Sequence, residues 1–206
     1  MQSLAKTFIM ENDIQTTHFI PDEFIKYRVM TLAHSLLINR TLMYIPFIEC
    51  FPKSNSNPNV KWLYNEIKNE SNLIGFGTIN FDIGSVNEQV KEIKEFGFKG
   101  IKVHPAAQEV KADGRELFEV YAEAEKQNLF ISFHTGLHWH RIKDYSMLLF
   151  DEVAYNFPDL KFSMEHVGGY SFFKEALLVM NNNSRKGNNI YAGLTSVAME
   201  TDALGN

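Results

Sequence analysis

The sequence predicts an α/β chain folded as a (β/α)8-type barrel, incomplete at about seven strands. Three observations predict it. Short apolar runs alternate with longer amphipathic stretches, and strand starts recur roughly every 24–32 residues, the length of one βα unit. Several strands are apolar on both sides of the pleat, as in a sheet covered by helices. Histidines stand at the C-terminal ends of three successive strands, where a parallel barrel builds its active site. The first two observations fit a doubly wound sheet equally well. The histidines decide for the barrel.

The elements follow in order. A short first strand is read at Thr7 to Ile9, and Thr41 to Ile48 (TLMYIPFI) is the second. Asn59 to Asn69 has helical spacing, and Leu73 to Asn80 (LIGFGTIN) is strand-like. Val86 to Phe96 is a helix with Val86, Val90, Ile93 and Phe96 as its apolar stripe, stopped by Gly97. Gly100 to Val103 is a strand ending at His104-Pro105. Asp113 to Gln127 is a helix with Leu117, Val120, Tyr121 and Ala124 on one face and Asp113 as its N-cap. Leu129 to His134 is a strand, Ser146 to Asn156 a helix, and Leu160 to His166 a strand. Phe172 to Met180 is a helix, and Asn189 to Leu194 is the seventh strand. The tracts Pro52 to Asn59 and Asn181 to Asn189 read as polar loops, too short to mark a domain boundary, so 1–206 is taken as one domain.

Composition excludes several classes. The chain has 206 residues, long enough for a substantial core, and its 17 phenylalanines make that core aromatic-rich. A formal charge of −5 argues against nucleic acid or an anionic membrane as partner. No run of apolar residues reads as a membrane span or a signal peptide. Cys50 is the single cysteine, so no intramolecular disulfide forms. A cytoplasmic protein acting on a small molecule is the expectation.

His104, His134 and His166 end the fourth, fifth and sixth predicted strands. A lone histidine at a strand end is ordinarily structural. Three on successive parallel strands converge on one mouth, and imidazole is both the commonest neutral metal ligand and the usual base near neutral pH. His138 and His140 (HWH) form a second candidate pair, but a rim loop with Trp139 as a packing contact explains them. Arg141 and Lys143 suit a substrate carboxylate or a solvated loop equally. His34 lies in a helical stretch and reads as structural. Glu165 precedes His166, and alternation turns its side chain towards the helices, so it is not nominated as a base. Gly168-Gly169 is a tight turn beside His166. Gly75 and Gly77 sit inside a strand, where close packing accounts for them.

The stretches GFKGIKVHP, LFISFHTG and FPDLKFSMEHVGG, in that order, resemble the amidohydrolase superfamily, specifically its amidohydrolase-related (amidohydrolase 2) branch. The resemblance covers about Leu73 to Ser196. It implies a TIM barrel binding one divalent metal, usually zinc. The implied chemistry is hydrolysis of C–N or C–O bonds, or decarboxylation of aromatic and enoic acids, on a small organic acid, amide or lactone. His134 matches a metal ligand. His166 matches the histidine that ligates metal or activates the attacking water, and is the catalytic candidate. Lys102 and His104 match substrate-binding positions.

The departures from the family pattern set further expectations. The first-strand H-x-H pair falls at Thr16-Thr17-His18, so His18 matches the second histidine while Thr16 stands in place of the first. The usual eighth-strand aspartate has no clear match, since Asp202 lies outside any G-S-D motif. A weak, substoichiometric metal site is therefore expected, from His134, His18 and His166. The barrel is expected to be C-terminally truncated, with an open edge that favours homo-oligomers. The alternative is a non-catalytic barrel that keeps the pocket without the full metal site.

Overall fold

The computed structural model describes residues 42–44, 58–71, 73–137, 141–169, 171–187 and 189–193. The chain divides into two compact units, Met1–Ile101 and Lys102–Asn206. His18, His34, Cys50, the HWH tract, Asp202 and the strand read at Thr7 to Ile9 lie outside the described residues.

The first unit contains β1 (Leu42–Tyr44), α1 (Pro58–Ile67), β2 (Leu73–Gly77) and α2 (Val86–Glu95). β3 (Gly100–Val103) begins within it. β1 pairs in parallel with β2, with Leu42 opposite Leu73, and β2 pairs in parallel with β3, with Phe76 opposite Gly100. The two glycines of β2 are there for packing, as expected. A side chain at Gly75 would overlap the Phe98 ring, and one at Gly77 would overlap Ile93. Ser85 caps α2, its hydroxyl accepting from the Glu88 N–H at 3.5 Å. Gly97, at φ 76°, ends the helix. Its N–H donates to Lys94 O, and the Phe98 N–H donates to Ile93 O, which closes a Schellman motif. The buried Gln89 side chain clamps the backbone that follows β2. It accepts from the Asn80 N–H at 2.9 Å and donates to Asn80 O at 2.9 Å and Ile83 O at 2.8 Å.

The second unit continues with α3 (Arg115–Lys126), β4 (Phe130–His134), a 3-10 turn (Ile142–Tyr145) and α4 (Leu148–Asn156). Then come β5 (Phe162–Glu165), a second 3-10 turn (His166–Gly168), α5 (Phe173–Ser184) and β6 (Ile190–Gly193). β4, β5 and β6 are parallel neighbours, with His134 opposite Glu165 and Glu165 opposite Gly193. The core is aromatic, as composition indicated. The Phe133 ring meets Tyr121, Phe150 and Phe162 edge-on, with centroids 5.0–5.6 Å apart. Phe133 therefore faces the helices, and its neighbours Ser132 and His134 face the other way.

Three sequence expectations change. The N-cap of α3 is Gly114 rather than Asp113, and no side chain caps that end. The last predicted strand before α5 stops at Glu165, and His166 opens a turn instead of closing the strand. α5 runs on through Asn181 to Asn183, which composition had placed in a loop. Asn183 Nδ2 donates to Asp151 Oδ1 at 2.7 Å and to Val179 O at 2.8 Å, and this tertiary anchoring overrides weak helix propensity.

Candidate active site

All the described candidate residues belong to the second unit, where the C-terminal ends of β3, β4 and β5 bring them together. Lys102 and His104 lie two residues apart, one at the end of β3 and one just beyond it, and both are buried. Proline follows, and the chain turns back tightly. Ala107 N–H donates to His104 Nδ1 at 3.2 Å, Gln108 Oε1 accepts from the His104 N–H at 3.0 Å, and Gln108 N–H donates to His104 O at 2.9 Å. Because Nδ1 accepts, a neutral His104 ring carries its proton on Nε2.

The His104 ring stacks flat on His134, with centroids 4.0 Å apart and planes 9° from parallel. His134 in turn meets His166 edge-on, at 4.8 Å and 64°. The three strand-end histidines thus form one contiguous cluster. Beneath them runs a polar chain that starts at Lys102. Its Nζ donates to Ser132 Oγ at 3.5 Å, Ser132 Oγ donates to Glu165 Oε1 at 3.2 Å, and Ser163 Oγ donates to the same oxygen at 2.5 Å.

Glu165 therefore faces the same side as Ser132 and Ser163, away from the helices, contrary to the alternation argument. That argument counted back from His166 as a strand residue. His166 has φ 63°, and the residues after it, Val167 (44°), Gly168 (75°) and Gly169 (60°), are left-handed too. The reversal of the backbone at His166 breaks the alternation, so Glu165 and the His166 ring both reach the site side. Left-handed φ suits glycine but costs a histidine, and more so a β-branched valine, on the order of 1–3 kcal/mol each. The Thr135 hydroxyl spans this turn. It donates to Glu165 O at 2.6 Å and accepts from the Gly168 N–H at 2.8 Å. At Gly136 a Cβ would lie 3.0 Å from the His166 ring, so the imidazole packs on bare backbone there. Ser132, Ser163, Glu165 and Thr135 were missed from sequence. The only available signal was their position beside the three histidines.

Arg141 is exposed and engaged locally. Its guanidinium donates to both carboxylate oxygens of Asp144, at 2.9 and 3.1 Å, and this pairing holds the Asp144 carboxyl below the usual carboxylate range. This fits the solvated-loop reading. No described helix is long and apolar enough to cross a membrane.

The histidines can be tested against a metal. Two imidazoles sharing one zinc at about 2.0–2.1 Å place their centroids roughly 4.5–5.2 Å apart, with planes inclined so that the lone pairs converge. The 4.8 Å between the His134 and His166 centroids falls within that range. His104 and His134 do not fit the arrangement, because in-plane lone pairs of parallel stacked rings cannot meet at one point. Among the described residues no group of three histidine, cysteine or acidic side chains forms a complete metal-binding set.

Residues 56–185 match the amidohydrolase family model. The chain belongs to the amidohydrolase family. Solved structures agree on the fold. An uncharacterised TIM-barrel protein from Bordetella bronchiseptica matches with a TM-score of 0.55 at 21% identity, over 68% of this chain and 48% of that one. The IDCase of Metarhizium anisopliae matches with a TM-score of 0.53 at 14% identity, over 79% of this chain and 58% of that one. The amidohydrolase chain thus has the parallel α/β architecture of a TIM barrel and spans about half the length of the Bordetella protein. No protein with a curated description matches it significantly.

Proposed function

We propose that this amidohydrolase is a metal-dependent hydrolase or decarboxylase acting on a small organic acid, amide or lactone. The observation that supports the reading is the cluster of His104, His134 and His166 above Lys102. His134 suits a ligand position, and His18 is the family match for another. A divalent metal, zinc by family habit, would supply an acidified water at such a site.

The chain's own groups do the rest. His104 offers Nε2–H to a substrate oxygen. Lys102 places a buried positive charge behind it, which favours a carboxylate or a developing oxyanion. The Ser132–Glu165 pair steadies that lysine from below. His166 is the residue placed to exchange a proton with bound water or substrate.

The test is a screen of the zinc-supplemented full chain against aromatic and enoic carboxylates, amides and lactones, alongside His166→Asn and Lys102→Met. Turnover of a carboxylate or lactone that both variants abolish supports the proposal. Turnover that survives both overturns the residue assignments. No turnover, with no zinc bound at micromolar concentration, favours the non-catalytic barrel.

A further inference from the structure

We infer that Thr135 is the positioning residue for His166: one hydroxyl bridges the carbonyl before the left-handed turn that carries the imidazole and an N–H within it, and so couples the imidazole to His134. The inference rests on the reading above only in taking His134 and His166 as the working pair.

β5 leaves Glu165 in an extended conformation, and the next four residues are all left-handed. Two of those four, His166 and Val167, have side chains that resist this conformation. Something outside the turn must hold it. The turn has one internal clasp, the Gly169 N–H donating to His166 O at 2.6 Å. The external hold comes from the residue next to His134. Thr135 Oγ1 donates to the carbonyl of Glu165, immediately before the turn, and accepts from the N–H of Gly168, within it. The Thr135 N–H also donates to Glu165 O, at 3.3 Å. Thr135 is 1% exposed, so water does not replace these bonds readily.

The next residue completes the device. Gly136 presents backbone to the His166 ring where a side chain would collide. The bonding needs a group that donates and accepts together. Serine provides one, and valine, of the same shape as threonine, provides neither function. Thr135 touches neither substrate nor metal in this assignment, and its effect passes through the backbone of residues 165–168.

The experiment uses the full chain labelled with 15N-histidine. Long-range 1H–15N spectra report each imidazole, with assignments from single histidine variants, and a ring-to-ring NOE reports the His134–His166 contact. Thr135→Val is expected to shift the His166 resonances and erase that NOE, while Thr135→Ser keeps both. Val120→Ala, a core truncation in α3, serves as a control for simple loss of stability and should leave both unchanged. Wild-type His166 signals in Thr135→Val, or equal disturbance in Val120→Ala, overturn the inference.

Should Thr135→Val fail to fold, hydrogen exchange in the wild type and Thr135→Ser still decides. A protected Gly168 amide in both supports the hold, and exchange at the rate of an open loop refutes it. If the NOE depends on Thr135 while zinc binding and turnover do not, the coupling stands and the functional reading fails.

Discussion

The ring of His104 lies flat against that of His134, and its Nδ1 is taken by a backbone N–H three residues on. In the proposed function the two imidazoles have different duties: His134 holds the metal, and His104, stacked against it, donates to substrate. His134→Ala should therefore lower zinc affinity by at least about a hundredfold. His104→Ala should leave zinc content near that of the wild type and act on substrate binding. Elemental analysis after dialysis separates the two. Equal loss of zinc in both variants would contradict the division.

His166 stands at φ 63°, where asparagine is more at ease than histidine. His166→Asn should cost little stability, within about 1 kcal/mol either way, and should reduce turnover by roughly 10²–10⁴-fold as a lost proton-transfer group does. Chemical denaturation alongside the activity assay checks this. A large loss of stability would show that the imidazole is chiefly structural.

Gln89 clamps the backbone of Asn80 and Ile83 with its side-chain amide. Gln89→Ala leaves a buried N–H and carbonyls without those bonds, and should destabilise the chain by about 2–4 kcal/mol. The measurement is urea unfolding, with the solvent-facing Lys91→Ala as a neutral reference. A change under about 1 kcal/mol would mean that water takes over the clamp.

Tyr121 is wholly buried, and burial, helped by the nearby Asp113 charge, raises its phenol well above the usual value. The unfolded chain releases this proton near pH 10 and the folded chain holds it to higher pH. The folded state binds more protons in that window, so its stability falls as pH rises through it. Tyr121→Phe loses the bond to Ala112 O, 2.8 Å long, and should be less stable at pH 7. Its stability should fall less steeply than the wild type's above pH 10. Parallel slopes would assign the alkaline loss to other groups.

What the sequence disclosed was whatever local chemistry determines. β3 falls on the residues expected, and the 3.6-residue stripe of α2 and its glycine stop are as read, because periodicity and capping act over one or two turns. The three histidines were legible as a cluster because parallel strands align their C-terminal ends. Glu165 was misread because a strand rule was applied across a residue that had left the strand. The extension of α5 was hidden because its anchor, Asp151, is about thirty positions away. The substrate-binding role expected of His104 came from the family resemblance alone, because the bond that holds its Nδ1 depends on how the chain folds back at Ala107. Thr135 was quoted within a motif, but its bonds appear only once the turn after β5 is in place.

The left-handed turn also limits how the gene can change. Gly168 and Gly169, at φ 75° and 60°, hold a backbone of inverted handedness. A single-base change that replaces a glycine yields a chiral residue or a stop, and of those residues only aspartate tolerates positive φ at all well. Gly168 is hemmed in by Phe172, Met147 and Ala176, and Gly169 by the backbone of Gly136 and Leu137, so even aspartate meets a wall. The segment that carries the candidate proton donor is thus almost closed to gradual drift. In a saturation library, variation should collect around this turn, in exposed positions such as Ser171, and leave the turn itself nearly invariant.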